Sequence, residues 1–129
     1  MFKHIILFLL YACWGEETSS WQSLQSIAKK ADPSFSVVLA EKLMGGQKCE
    51  NENKKLSFGK GCSKIYRVKV NNLEFAFVEF DSVENAKNEA VRLKQFQYQN
   101  WVFDEVYKEE PLEEFVRKAF DAKSFEELN

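Results

Sequence analysis

At 129 residues the chain has room for one domain built around one hydrophobic core. Twelve Phe, three Trp and four Tyr exclude a disordered tail, because so much aromatic surface supplies the burial that ordering requires. A net charge of −2 excludes a general electrostatic pull toward nucleic acid, so no nucleic-acid partner is expected.

The chain opens on Met1-Phe2-Lys3-His4, a short basic stretch. An unbroken apolar run from Ile5 to Ala12 follows, and then Cys13. A basic start, an apolar core of about eight residues and a small residue before the break together read as a secretory signal. Eight residues at ~1.5 Å each reach less than half of the ~30 Å hydrocarbon core, so this is no transmembrane helix. Leu10-Tyr11-Ala12-Cys13 resembles the lipobox of bacterial lipoproteins. The resemblance implies that residues 1–12 are removed, that Cys13 is lipidated, and that residues 13–20 form a lipid-linked tether. It also implies an outer-membrane or periplasmic location, since Trp14 stands where that family's retention signal has Asp. Two other readings stay open. Ordinary cleavage after Gly15 would release a secreted product, and Ile5–Tyr11 would otherwise be a buried first strand of a cytosolic domain.

Beyond the tether, Trp21, Leu24, Ile27, Ala28 and Ala31 share one helical face, giving a helix near 20–31. Asp32-Pro33 then reads as an N-cap followed by a first-turn proline. It would open a second helix that carries Phe35, Val38, Leu39 and Leu43 and stops at Gly45-Gly46. Cys49 and Cys62 enclose a polar segment ending in two closely spaced glycines, as a hairpin or Ω-loop does. If Cys13 leaves the thiol pool, these two form the one remaining pair. A disulfide there contributes roughly 3 kcal/mol and belongs to an oxidising compartment. No metal is expected, because two cysteines without a nearby His supply only half of a tetrahedral zinc shell.

Residues 64–80 read as a β-hairpin around Asn71-Asn72, which tolerate the positive φ of a tight turn. That turn sets Lys69 opposite Glu74 and Val68 opposite Phe75. One face then carries Tyr66, Val68, Val70, Leu73, Phe75 and Phe77. The other carries Ile65, Ala76, Val78 and Phe80 beside Arg67, Lys69 and Glu74, so both faces call for at least partial cover by helices. Asp81-Ser82-Val83-Glu84 opens a helix over 82–95 with Val83, Ala86, Ala90 and Leu93 inward and Lys87, Glu89, Arg92 and Lys94 solvated. A strand follows over 100–106. Glu110-Pro111 starts a last helix with a stripe of Leu112, Phe115, Val116, Ala119 and Phe120, and 124–128 adds a final turn. The expected fold is α/β (α+β): a single domain over 21–129, with a small, mostly antiparallel sheet and helices covering both faces.

Two segments resemble known modules. Leu73-Glu74-Phe75-Ala76-Phe77-Val78-Glu79-Phe80 is similar to the RNP1 motif of RNA-recognition modules in its last six positions. That resemblance implies base stacking on Phe75 and Phe77 in an intracellular RNA-binding protein. On a face crowded with Tyr66, Val68 and Val70, the same rings read more simply as core. Phe77 to Ala86, with Arg92-Leu93-Lys94, is similar to half of the SPOR module, which implies binding of peptidoglycan glycan strands. Both families use a strand–helix–strand unit on an antiparallel sheet, so they converge on architecture rather than on one activity.

Residues for catalysis are few. The one histidine, His4, lies in the signal, which removes the imidazole base of Ser-His-Asp and Cys-His mechanisms. After Gly59-Lys60-Gly61 a dinucleotide fingerprint would need glycine at Lys64. Asp104, Glu105, Glu109, Glu110, Glu113 and Glu114 cluster along the sequence, mostly where a helix dipole favours negative charge. Trp101 is an aromatic residue in a strand, and core is the simpler reading than sugar stacking. The sequence therefore points to a lipid-anchored envelope protein that binds without catalysis and without a cofactor. Its expected partners are the membrane, through the anchor, and an envelope protein or peptidoglycan. Besides the RNA-binding alternative, a small secreted inhibitor of an envelope-attacking enzyme fits the size and the cysteine pair.

Overall fold

Ten elements account for residues 17–38, 47–50 and 58–128, which are those described by the computed structural model of the chain. In order they are α1 (Trp21–Ala31), β1 (Ser36–Val37), β2 (Gln47–Lys48), β3 (Cys62–Val70), β4 (Leu73–Phe80), α2 (Val83–Leu93), β5 (Phe96–Tyr98), β6 (Trp101–Asp104), α3 (Glu110–Phe120) and β7 (Lys123–Ser124). Six strands run β1-β3-β4-β6-β5-β7 across one sheet, and β2 pairs with the same strand as β1, β3. Every pairing is antiparallel. The chain is a single small α+β domain.

The hairpin at its centre follows from two asparagines. Asn71 and Asn72 hold φ of 49° and 67°, a left-handed pair matched to the twist of the flanking strands. The register is the expected one, with Lys69 opposite Glu74 and Val68 opposite Phe75. Alternation along the strands then sorts the core. Tyr66, Val68, Val70, Phe75, Phe77, Trp101 and Phe103 meet Leu24 and Ala28 of α1 and Leu112, Phe115, Val116 and Phe120 of α3. On the opposite face, Ile65, Ala76, Val78, Phe80 and Val102 meet Ala86 and Ala90 of α2. Helices cover both faces because both faces carry apolar side chains.

Four sequence expectations need correction. Asp32-Pro33 does not restart a helix. The Asp32 carboxylate accepts the Ser34 N–H at 2.9 Å, and its carbonyl accepts the Phe35 N–H at 3.0 Å. These local bonds close a turn that leads into β1, which lies along β3 with Ser36 opposite Lys69. Leu39, Leu43 and the Gly45-Gly46 stop lie outside the described residues, as do residues 1–16 with Cys13. The helix expected over 82–95 ends at Leu93. Lys94 turns left-handed at φ 58°, and the Gln95 N–H reaches back to the Ala90 carbonyl at 2.8 Å. After that stop Phe96–Tyr98 pairs with β6, a strand in a stretch to which the sequence reading gave no element. The strand expected over 100–106 is Trp101–Asp104, bounded by Gln99 and Glu105, both at positive φ. Finally Lys123–Ser124 adds β7 beside β5 before the expected turn at 124–128.

The N-terminal segment is pinned to the domain. Ser19 donates its N–H to Asn100 Oδ1 at 3.0 Å, its hydroxyl meets Gln99 Oε1, and its carbonyl accepts the Trp101 indole N–H at 2.8 Å. Trp21 then stacks on Tyr66 with ring centroids 3.9 Å apart. Among the described residues, no helix is long and apolar enough to cross a membrane.

Candidate functional site

The candidate site is a groove at the end of the sheet marked by the Asn71-Asn72 turn, where the C-terminus of α1 and the N-terminus of α3 meet the hairpin. It holds about 200 Å³. Val70, Leu112 and Phe115 form an apolar floor, and Asp32, Asn71, Glu114 and Lys118 stand around it. Each wall is a consequence of local sequence. The αL asparagines turn the chain at the groove's edge, and Pro111 begins α3 beside it.

The polar side of the groove is ordered. Asn71 donates its N–H to Ser34 Oγ at 3.0 Å, and its side-chain amide reaches Asp32 Oδ2 at 3.5 Å. The Asp32 carboxyl is held below the usual carboxylate range. The Ser34 N–H contributes most, then the Ser34 hydroxyl, with smaller help from Lys118 and the Asn71 amide, against some desolvation. An ionised Asp32 beside Lys118 and Glu114, over an apolar floor, suits recognition of a polar group with an aliphatic or ring stem. A cavity this small takes one side chain or one sugar-sized group. The sequence had marked Asp32 only as a helix cap and had put Leu112 and Phe115 in the core. Their meeting with the hairpin turn is a tertiary event.

A second polar centre lies on the outer side of α2. Glu89, expected in solvent, is 4% exposed. Its carboxylate accepts the Gly59 N–H and two hydrogen bonds from Arg92, at 2.6 and 2.8 Å. Burial pushes this carboxyl up. The Arg92 hydrogen bonds, the Gly59 N–H and the Arg92 charge together outweigh burial and hold it below the usual value. Gly59, Lys60, Asn85, Asn88, Glu89 and Arg92 line a shallow hollow there of about 220 Å³. The loop is drawn in at a second point, where the Gly61 carbonyl accepts the Asp81 N–H at 2.8 Å and Gly61 turns at φ 87°. A Cβ on Gly61 would collide with Asp81 and Asn85. Cys49 and Cys62 close the base of this loop at disulfide distance, with Cα atoms 5.9 Å apart, as the sequence anticipates.

The residues singled out for chemistry scatter. Phe75, Phe77 and Trp101 are fully buried, which makes all three core. Glu105 pairs with Arg67 at 2.8 Å, Glu113 accepts the Lys108 N–H at 2.7 Å, and Glu114 borders the groove. Glu109 occupies the N-cap of α3 without a side-chain capping bond, and Glu110 lies in the first turn. Burial raises the carboxyls of Asp104 and Glu79. Those two stand on opposite faces, since Asp104 is opposite Ala76 in the register and Glu79 is opposite Trp101. They therefore cannot work as an acid–base pair. No group of three or more metal-ligating side chains forms among the described residues. The chain matches no known family model, no curated protein and no solved structure.

Proposed function

We propose that this chain is a lipid-anchored protein of the bacterial cell envelope that works as a non-catalytic binding module, without a cofactor. The observation that carries this reading is the cysteine pair. Cys49 and Cys62 are separated by 5.9 Å between Cα atoms, inside the range a disulfide needs, and Gly59, just before Cys62, donates its N–H to Glu89 of α2. Such bonds persist in oxidising compartments, which is where a signal ending in Leu10-Tyr11-Ala12-Cys13 would deliver the chain. Binding is favoured over catalysis because the two carboxyls that burial raises face away from each other. The groove beside Asp32 and Lys118 is the surface offered to an envelope protein or to peptidoglycan.

Metabolic labelling with an alkyne fatty acid tests the anchor. Label on the wild type that is lost in Cys13→Ser supports it. An unlabelled product that keeps Met1 and stays in the cytosol overturns it. For the binding role, the protein is used to capture partners from detergent-solubilised membranes and is tested against purified peptidoglycan. Retention that falls in Asp32→Lys and Lys118→Glu places the contact at the groove, and retention unchanged in both removes the groove from the reading.

A further inference from the structure

We infer that the end of the domain carrying the β5–β6 turn is a membrane-facing surface, and that the groove opens on the side away from the lipid. The inference rests on the reading of Cys13 as the lipid-bearing residue. Its own basis is the clamp on Ser19. Three hydrogen bonds tie that residue to Gln99, Asn100 and Trp101, about eighty positions later in the chain. Glu17 is drawn in as well, since its carboxylate accepts the Gln99 side-chain N–H at 3.3 Å.

The residues that receive the clamp are themselves fixed. Asn100 is 5% exposed and donates its side-chain amide to the Phe80 carbonyl at 3.2 Å, while the Phe80 N–H returns to the Asn100 carbonyl at 2.8 Å. Trp101 is fully buried. A lipid on Cys13 is therefore tethered to rigid sheet, and the free length is short. Four residues from Cys13 to Glu17 span at most ~14 Å, and six to Ser19 at most ~21 Å, even fully extended.

The groove lies at the other end. Strand β3 runs from Cys62, beside the clamp end, to Val70 in the groove floor. Its eight steps at ~3.3 Å cover about 26 Å. A chain pinned at Ser19 cannot turn over to present Val70 and Asp32 to the bilayer without breaking the clamp. The partner of this groove therefore approaches from the aqueous or wall side. The lipid headgroups meet the polar end that presents Thr18, Ser19 and Gln99.

The test uses the mature lipoprotein in phosphatidylethanolamine–phosphatidylglycerol vesicles containing a lipid-borne acceptor dye. A donor dye is placed on Gln22→Cys, exposed in the first turn of α1, or on Glu110→Cys, exposed at the start of α3. Energy transfer should be roughly twofold stronger from position 22, since the nine rises of α1 from Gln22 to Ala31 put ~14 Å between that position and the groove end. A Gly/Ser insertion of about twelve residues between Gly15 and Glu16, which leaves the clamp and the fold intact, should erase that difference. Ser19→Pro, which removes the N–H bonded to Asn100, should weaken it. Flotation of the vesicles separates the two ways of failing. Protein that does not float defeats the anchor and the orientation together. Floating protein with equal transfer from both positions, or stronger transfer from 110, defeats the orientation alone.

Discussion

Glu89 accepts a hydrogen bond from the backbone N–H of Gly59, thirty positions earlier, and this contact joins the cysteine-closed loop to α2. The carboxylate is almost wholly buried and takes its other partners from Arg92, three residues along the helix. A Cβ on Gly59 would come within 2.7 Å of Glu89 Oε1, so any larger residue here must push the carboxylate out of its present position. Loop and helix are thereby joined through one buried anion.

A pH dependence follows. Because the folded-state value of Glu89 is depressed, its contribution is present above the ordinary glutamate range and is lost as pH falls through that range toward the lower folded value. Glu127 acts in the same direction. The Ser124 N–H, then Arg117, hold it at about 2, but it is exposed and so contributes little. Chemical denaturation at pH 7 and pH 3 should show the wild type losing stability on acidification and Glu89→Gln losing less. Glu89→Ala leaves the Gly59 N–H without its acceptor and should cost about 2 kcal/mol at pH 7. Equal acid sensitivity in wild type and Glu89→Gln would remove Glu89 from this account.

Reduction should be felt through the same loop. Cys49 and Cys62 are 13 positions apart, and opening a ring of that size costs roughly 3 kcal/mol in the loop-entropy picture. Protein purified from the envelope should resist alkylation at both cysteines until reduced, and its denaturation midpoint should then fall. Peptide mapping by mass spectrometry checks the pairing directly. Free, alkylatable Cys49 in unreduced protein would contradict it.

Phe77 sits where four elements converge. Its ring centroid lies 4.8 Å from Phe103, 5.8 Å from Phe120 of α3 and 5.8 Å from Trp21 of α1. Truncation to Ala should cost about 3–5 kcal/mol, measured by denaturant unfolding, because so many rigid rings cannot close the cavity. Phe75→Ala should fall in the same range, with its ring 5.5 Å from Phe77 and 6.0 Å from Phe115. Losses below 1 kcal/mol would show that these rings are not core.

The central hairpin was legible because Asn71-Asn72 and the two-residue alternation specify turn, register and faces together. The amphipathic helices were legible for the same reason at a period of 3.6 residues. What escaped were elements of two or three residues. Ser36–Val37, Phe96–Tyr98 and Lys123–Ser124 exist as strands only because a longer neighbour lends them hydrogen bonds. The candidate groove escaped for a related reason, since Asp32, Asn71 and Lys118 come from three elements that only the tertiary fold brings together. Buried Glu89 escaped because an i, i+3 pair with Arg92 is the ordinary mark of a solvated helix face.

The Ser19 clamp yields the last prediction. Trp101 contributes a fully buried indole whose N–H bonds the Ser19 carbonyl at 2.8 Å, so Trp101→Phe removes the bond while keeping most of the apolar bulk. The expected cost is the bond together with a partly unfilled site, about 1–3 kcal/mol. The location of the effect is more telling than its size. The Ser19 amide, which donates to Asn100, should exchange with solvent faster, and protease should reach residues 17–20 more readily. Val68 and Phe75 amides in the central hairpin should keep their protection. If Trp101→Phe accelerates exchange throughout β3 and β4 while leaving Ser19 unchanged, the indole supports the core alone and the N-terminal segment is held by other means.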